Sequence, residues 1–149
     1  MQAKDIMTSS LIVVNKDSNV FEIAKIMKEE DIGFLPVSDN KKIVGVITDR
    51  DIVVKALANN DTKIENYISK DIITCNINDS IDDILLKMKE NKIKRLLAVD
   101  DKKVVGIISI SDILNTNYNN NDKIISIQSI WAISSNDQSR DLEVDEFYL

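Results

Sequence analysis

The amino-acid sequence repeats itself, and that repeat constrains the fold more than anything else in it. Displaced by about 61 positions, it re-aligns on itself without a gap. Ile43-Val44-Gly45-Val46-Ile47-Thr48-Asp49-Arg50-Asp51-Ile52 falls on Val104-Val105-Gly106-Ile107-Ile108-Ser109-Ile110-Ser111-Asp112-Ile113. Met27-Lys28-Glu29 falls on Met88-Lys89-Glu90, and Asp39 with Lys41-Lys42 falls on Asp100 with Lys102-Lys103. Roughly sixteen of about fifty aligned positions are identical, and most others exchange one apolar residue for another. Two copies of one unit imply a pseudo-two-fold axis. Such an axis sets equivalent loops on either side of a shared groove, a natural place for a ligand.

One unit of about 60 residues is marginal as an independent core, so the two copies are expected to share one. The chain is 44% hydrophobic and 30% charged, the composition of a globular domain. Its net charge of −6 argues against generic binding to a phosphate backbone, although a local basic cluster can still hold a small phosphate. There is no histidine, which removes most zinc, copper and haem arrangements and the usual general base. Cys75 is the only cysteine, so no internal disulfide can form, and it reads as a small core residue. No run approaches the ~20 apolar residues of a membrane span. The opening Met1-Gln2-Ala3-Lys4-Asp5 has no apolar leader core, so the cytoplasm is the expected location.

Period and turn chemistry give each unit the order strand, helix, strand, strand, helix. In the first copy residues 11–14 read as a strand. Asn19 with Glu22 forms a capping box for a helix to about Glu30, with Ile23 and Met27 on its buried face. Phe34-Leu35-Pro36-Val37 reads as a strand that should lie at an edge or stop at Pro36, which has no N–H. Residues 38–42 form a turn, 43–47 a strand interrupted at Gly45, and a helix from Thr48 fades by Asn59-Asn60. In the second copy 72–75 and 95–99 are strands. Ser80 with Asp83 starts a helix carrying Met88, 104–108 closes a hairpin, and 109–114 is a short helix. The units are bounded as 3–60 and 64–116. A tail, 117–149, carries Ile124, Ile127, Ile130 and Trp131 at spacings that suit a helix face, or a strand nearly as well, then an acidic end.

The chemistry concentrates at the strand-to-helix corner, Gly-Val-Ile-Thr-x-x-Asp at 45–51 and Gly-Ile-Ile-Ser-x-x-Asp at 106–112. Thr48 with Asp51, and Ser109 with Asp112, are spaced as N-cap and N3 of a helix, so a purely structural role suffices for them. The same corner also offers free N–H groups to an anion, and its carboxylate can accept two hydrogen bonds from the vicinal hydroxyls of a ribose. Cap and ligand contact are compatible.

With Asp5-Ile6-Met7-Thr8 and Phe34-Leu35-Pro36-Val37, the doubled corner resembles a tandem pair of CBS domains, the regulatory module named after cystathionine β-synthase. The resemblance covers about residues 3–116. It implies an α/β (α+β) fold of two β-α-β-β-α repeats, packed sheet to sheet with two clefts between them. It also implies an adenosine-containing ligand (AMP, ADP, ATP or S-adenosylmethionine), no required cofactor and association as a homodimer. No nucleophile–base pair is visible in the sequence, so no catalysis is expected.

Carried over by position, Asp51 and Asp112 are the ribose carboxylates, with Thr48 and Ser109 beside ribose or phosphate. Thr8 and its copy Ser69 lie where the base is held, and Leu35 and Pro36, with Leu96 and Leu97, wall the adenine. The copies differ. Arg50 stands in the first corner where Ser111 stands in the second, and Lys94-Arg95 stand where the first copy has Gly33-Phe34. Arginine suits phosphate, and a solvated surface charge is the plain alternative for each of these cations. The clefts are therefore expected to be inequivalent, with one empty as an open outcome. A second reading is a ligand-free interaction module that docks a protein target through its tail.

Overall fold

The computed structural model describes residues 1–116; the tail and its apolar segment lie outside the described residues. The repeat is obeyed element by element. Helices α2 (Val20–Glu30) and α3 (Ile81–Asn91) correspond, as do strands β2 (Phe34–Asp39) with β5 (Arg95–Asp100) and β3 (Lys42–Thr48) with β6 (Lys103–Ser109). Each repeat has a three-stranded sheet. In β1-β2-β3 and β4-β5-β6 the first pair is parallel and the second antiparallel. The short first strands are β1 (Val14–Asn15) and β4 (Thr74–Asn76), and the chain begins with a single-turn helix, α1 (Ala3–Ile6).

Local chemistry sets these boundaries. The Asn19 side chain accepts from the Phe21 and Glu22 N–H groups, while Glu22 accepts from the Asn19 N–H at 3.1 Å, a complete capping box. Ser80 caps α3 through the Asp83 N–H. Asp31 and Lys92 end these helices in the left-handed region. Both hairpins turn through two residues of positive φ, Asn40-Lys41 and Asp101-Lys102, as a two-residue turn matched to strand twist requires.

The structure corrects several expectations. Pro36 neither ends its strand nor lies at an edge, because β2 is the central strand of its sheet. The ladder adjusts instead. In the second repeat the Leu97 N–H donates to the Ile73 carbonyl, and β4 pairs from Thr74. Pro36, at the matching position, has no N–H, and β1 pairs only from Val14, opposite Val37. Residues 11–13 therefore remain outside the ladder, and the strand expected over 72–75 is observed over Thr74–Asn76. Strand β3 continues through Gly45, but its ladder with β2 is bulged there: Val37 pairs with Gly45 and Ser38 with Ile43, which leaves Val44 without an opposite residue. The helix after β3 is π-wound over Asp51–Ala56 and tightens to a 3-10 turn over Leu57–Asn59 before Asn60 turns left-handed. In the second repeat α4 (Ile110–Leu114) is an ordinary α-helix.

The single shared core expected from the size of one unit is instead two apolar clusters, one per repeat, each completed by the segment that leads into the other repeat. Ala3, Ile6 and Met7 pack with Cys75, Ile81, Met88 and Ile108 of the second repeat. Ile64, Tyr67 and Ile68 pack with Val14, Ile23, Leu35 and Ile47 of the first. Thr8 bridges to Ile107 on β6, and Ser69 bridges to Val46 on β3, through paired backbone hydrogen bonds of 2.9–3.0 Å. The Tyr67 hydroxyl donates to Asp61 at 3.0 Å, further tying the returning segment down. Gly106 admits the crossing chain: a Cβ there would stand 2.9 Å from the Thr8 carbonyl oxygen. The outward faces of the two sheets oppose one another. An 820 Å³ cavity between them is lined by matched pairs such as Leu11 and Ile72, Val13 and Thr74, and Lys42 and Lys103, so it sits on the pseudo-two-fold axis.

Cys75 is buried on β4, and burial pushes its thiol up to about 11. Only the thiolate attacks, so the folded protein is expected to resist a disulfide reagent at neutral pH and to react fully once denaturant is added. Stoichiometric labelling in native buffer would mean that β4 opens readily.

Candidate functional site

The corner between β3 and the π-helix is built around one carboxylate. Thr48 donates to Asp51 Oδ2 twice, from its N–H at 3.0 Å and its hydroxyl at 2.9 Å, and the Asp51 N–H donates back to Thr48 Oγ1 at 3.2 Å. Ser109 and Asp112 repeat this pattern at 2.7, 2.7 and 3.2 Å. The capping role read from the spacing is thus present in both copies. The two carboxylates differ in their surroundings. Asp51 is the buried charged residue of the described structure, 6% exposed, whereas Asp112 is only half-buried. A charge is held at such depth only when it is paired. Lys55, one turn along, supplies the pair, with Nζ 2.6 Å from Asp51 Oδ1.

Asp51 opens on a cleft of about 650 Å³ between the repeats. Thr48, Arg50, Asp51, Ser69, Lys94, Arg95, Leu96 and Leu97, all singled out from the sequence, line it together. Ser69 arrives because residues 64–69 fold back on the first repeat. The second repeat contributes the start of β5, whose Leu96 and Leu97 are buried and give an apolar wall. Sequence reasoning missed Lys55 and Lys92, which also line the cleft. The i,i+4 spacing of Asp51 and Lys55 was the available signal. Among the described residues five cations therefore line the cleft, Arg50, Lys55, Lys92, Lys94 and Arg95, against three acids, Asp49, Asp51 and Asp71.

The pseudo-symmetric cleft, about 490 Å³, is different in kind. Leu35, Phe34, Ile12, Ile32 and Ile107 line it, and among the described residues Glu30 is its only charged lining residue. Thr8, Pro36, Ser109 and Asp112 line neither cleft. Thr8 instead spends its backbone on Ile107, and Pro36 is buried within β2. Among the described residues no group of three or more Cys, Asp or Glu side chains is arranged to hold a metal ion. No described helix is long and apolar enough to cross a membrane.

Two repeats packed sheet to sheet, with capped carboxylates at their corners and clefts between them, define a paired-repeat module. The CBS domain family model matches residues 3–57 and 64–117, and the chain belongs to the CBS domain family. The CBS domain-containing protein YhcV of Bacillus subtilis is 31% identical over 113 residues, 74% of this chain and 81% of that protein. Hypoxic response protein 1 of Mycobacterium tuberculosis is 34% identical over 116 residues, with the same shares covered. Among solved structures, the CBS domain pair of protein MJ0100, in complex with 5′-methylthioadenosine and S-adenosyl-L-methionine, superposes with a TM-score of 0.71. It is 35% identical, over 76% of this chain and 93% of that one.

Proposed function

We propose that this protein is a non-enzymatic sensor whose cationic cleft binds a phosphorylated adenosine, AMP, ADP or ATP. The observation that carries this reading is the asymmetry of the clefts. Among the described residues, one gathers five cations around a buried, capped carboxylate and an apolar wall, and the other has no cation in its lining. In this reading Asp51 accepts from the ribose hydroxyls, and Leu96 and Leu97 cover the base. Arg50, Lys94 and Arg95 meet the phosphates, arginine being matched to phosphate by its planar fork of donors. The methylthioadenosine and S-adenosylmethionine bound by the related MJ0100 pair support an adenosine ligand in this kind of cleft. The second cleft suits at most an unphosphorylated, mainly apolar ligand.

The output is a shift in population. A ligand held by residues of both repeats favours the closed cleft over the open one. That geometry is passed on through a homodimer, for which the exposed Val53, Val54, Leu57 and Leu114 on the helices after β3 and β6 offer apolar surface. The reading includes a cytoplasmic location. It includes no catalysis: the one thiol is buried and held protonated, and no histidine is present.

A thermal-shift panel tests this. ATP, ADP and AMP are expected to stabilise the protein, by ~2.7 kcal/mol at about a hundred times the dissociation constant. Adenosine is expected to do less at the same concentration. Sedimentation with and without the stabilising nucleotide reads the linked change in association. No stabilisation by any adenosine compound would overturn the sensor reading and leave the interaction module.

A further inference from the structure

Asp51 has one partner that its cap does not need. Oδ2 already accepts twice from Thr48, and Oδ1 accepts from Lys55. A carboxylate offers about four acceptor sites, so about one is left. Vicinal ribose hydroxyls bring two donors, so both can bind Asp51 only if Lys55 lets go of Oδ1. Lys55 is placed to do so. Its side chain is 56% exposed while that of Asp51 is 9% exposed, and it lines the cleft beside the other cations.

The second repeat shows that the cap works without it. Asp112 keeps the same reciprocal bonds with Ser109. Four residues on, in place of a lysine, stands Thr116, whose hydroxyl donates to the Ile113 carbonyl at 2.7 Å. The winding differs too. The Leu57 N–H donates to the Ile52 carbonyl in the π-helix that carries Lys55, whereas α4 is α-helical. π-turns of this sort recur at functional sites.

Resting on the reading of Asp51 as the ribose acceptor, we propose that Lys55 is a specificity-determining latch. In the empty cleft it pairs with Asp51. Ribose binding displaces its ammonium group, and a ligand phosphate takes up the freed charge. A phosphorylated adenosine replaces one ion pair with another. Adenosine or methylthioadenosine must displace the lysine and offers it nothing in return, and S-adenosylmethionine adds a further positive charge. The latch thus discriminates against unphosphorylated nucleosides while leaving the base and ribose contacts common to both classes.

Calorimetric titration of ATP and of adenosine into the full chain, wild type and variants, tests the latch. Lys55→Met is expected to weaken ATP and tighten adenosine, lowering the ratio of their affinities by roughly tenfold to a hundredfold, the range for a hydrogen bond to a charged group. Lys55→Arg is expected to retain most of the discrimination. Should Lys55→Met fail to fold by circular dichroism, Lys55→Thr, after the second repeat, is read in the same way. Equal losses for both ligands would mean that Lys55 only supports the helix, and would overturn the latch. An unchanged ratio with intact wild-type binding would overturn the latch alone. Wild-type protein that binds neither compound would sink the ribose reading and the latch together.

Discussion

Gly45→Ala is expected to destabilise the protein by about 3 kcal/mol or more, a large part of the ~5–15 kcal/mol that holds a typical domain together. A Cβ at this position would overlap both the Ile68 Cγ2 methyl and the Ser69 carbonyl oxygen. The methyl can turn aside. The carbonyl cannot, because Ser69 exchanges two backbone hydrogen bonds of 2.9 Å with Val46. Relief requires lifting residues 68–69 off β3, which breaks those bonds, each worth about 1 kcal/mol net. It also loosens Ile64, which has no exposed surface, and the partly buried Tyr67 and Ile68. Gly106→Ala should cost less. The Met7 thioether nearest its Cβ is flexible, and the Thr8 carbonyl stands slightly farther off, at 2.9 Å. Denaturant midpoints measure both, and a Gly45→Ala midpoint equal to wild type would show that the crossing segment does not depend on β3.

That crossing explains what could and could not be read from the amino-acid sequence. The offset of about 61 residues located α2 and α3, β2 and β5, and β3 and β6, because each depends on local period and local caps repeated twice. The Asn19 box and the Thr48 and Ser109 corners were legible for the same reason. The exchange of leading segments was not. Thr8 bridging Ile107, and Ser69 bridging Val46, are pairings between distant parts of the chain with no local signature. This moves one site residue. The resemblance placed Thr8 and its copy Ser69 alike where a base is held, but the fold brings Ser69 to the Asp51 cleft and uses Thr8 to cover β6. Pro36 was misjudged because the rule for proline concerns its own N–H. The sheet satisfies that rule by shortening β1 and leaves β2 central. The corners were matched on Thr48/Asp51 and Ser109/Asp112, yet the clefts differ through residues outside the motif: Lys55, Lys92, Lys94 and Arg95 stand where the other copy has Thr116, Asp31, Gly33 and Phe34.

Asp51→Ala is expected to weaken adenine-nucleotide binding by roughly 10- to 150-fold, the equivalent of losing about 1.5–3 kcal/mol of hydrogen bonding to a charged group. The variant also removes the acceptor for the Thr48 N–H and hydroxyl, as well as the partner of Lys55. Some loss of stability must therefore accompany the loss of affinity, about 0.5–2 kcal/mol for a helix start of this type. Asp112→Ala provides the control. Its cap is the same to within a few tenths of an ångström, so the cap's share of the stability loss should be similar, without the burial and the Lys55 pair that Asp51 adds. But Asp112 lines neither cleft, and its affinity for ATP should stay within a few-fold of wild type. The comparison separates the two roles that one motif carries: a fall in stability common to both variants reports the cap, and a fall in affinity confined to Asp51→Ala reports the ligand contact. Isothermal titration beside thermal melts of the two variants measures this. Equal affinity in Asp51→Ala and wild type would leave the carboxylate a cap and nothing more, and the cations around it would need another ligand geometry.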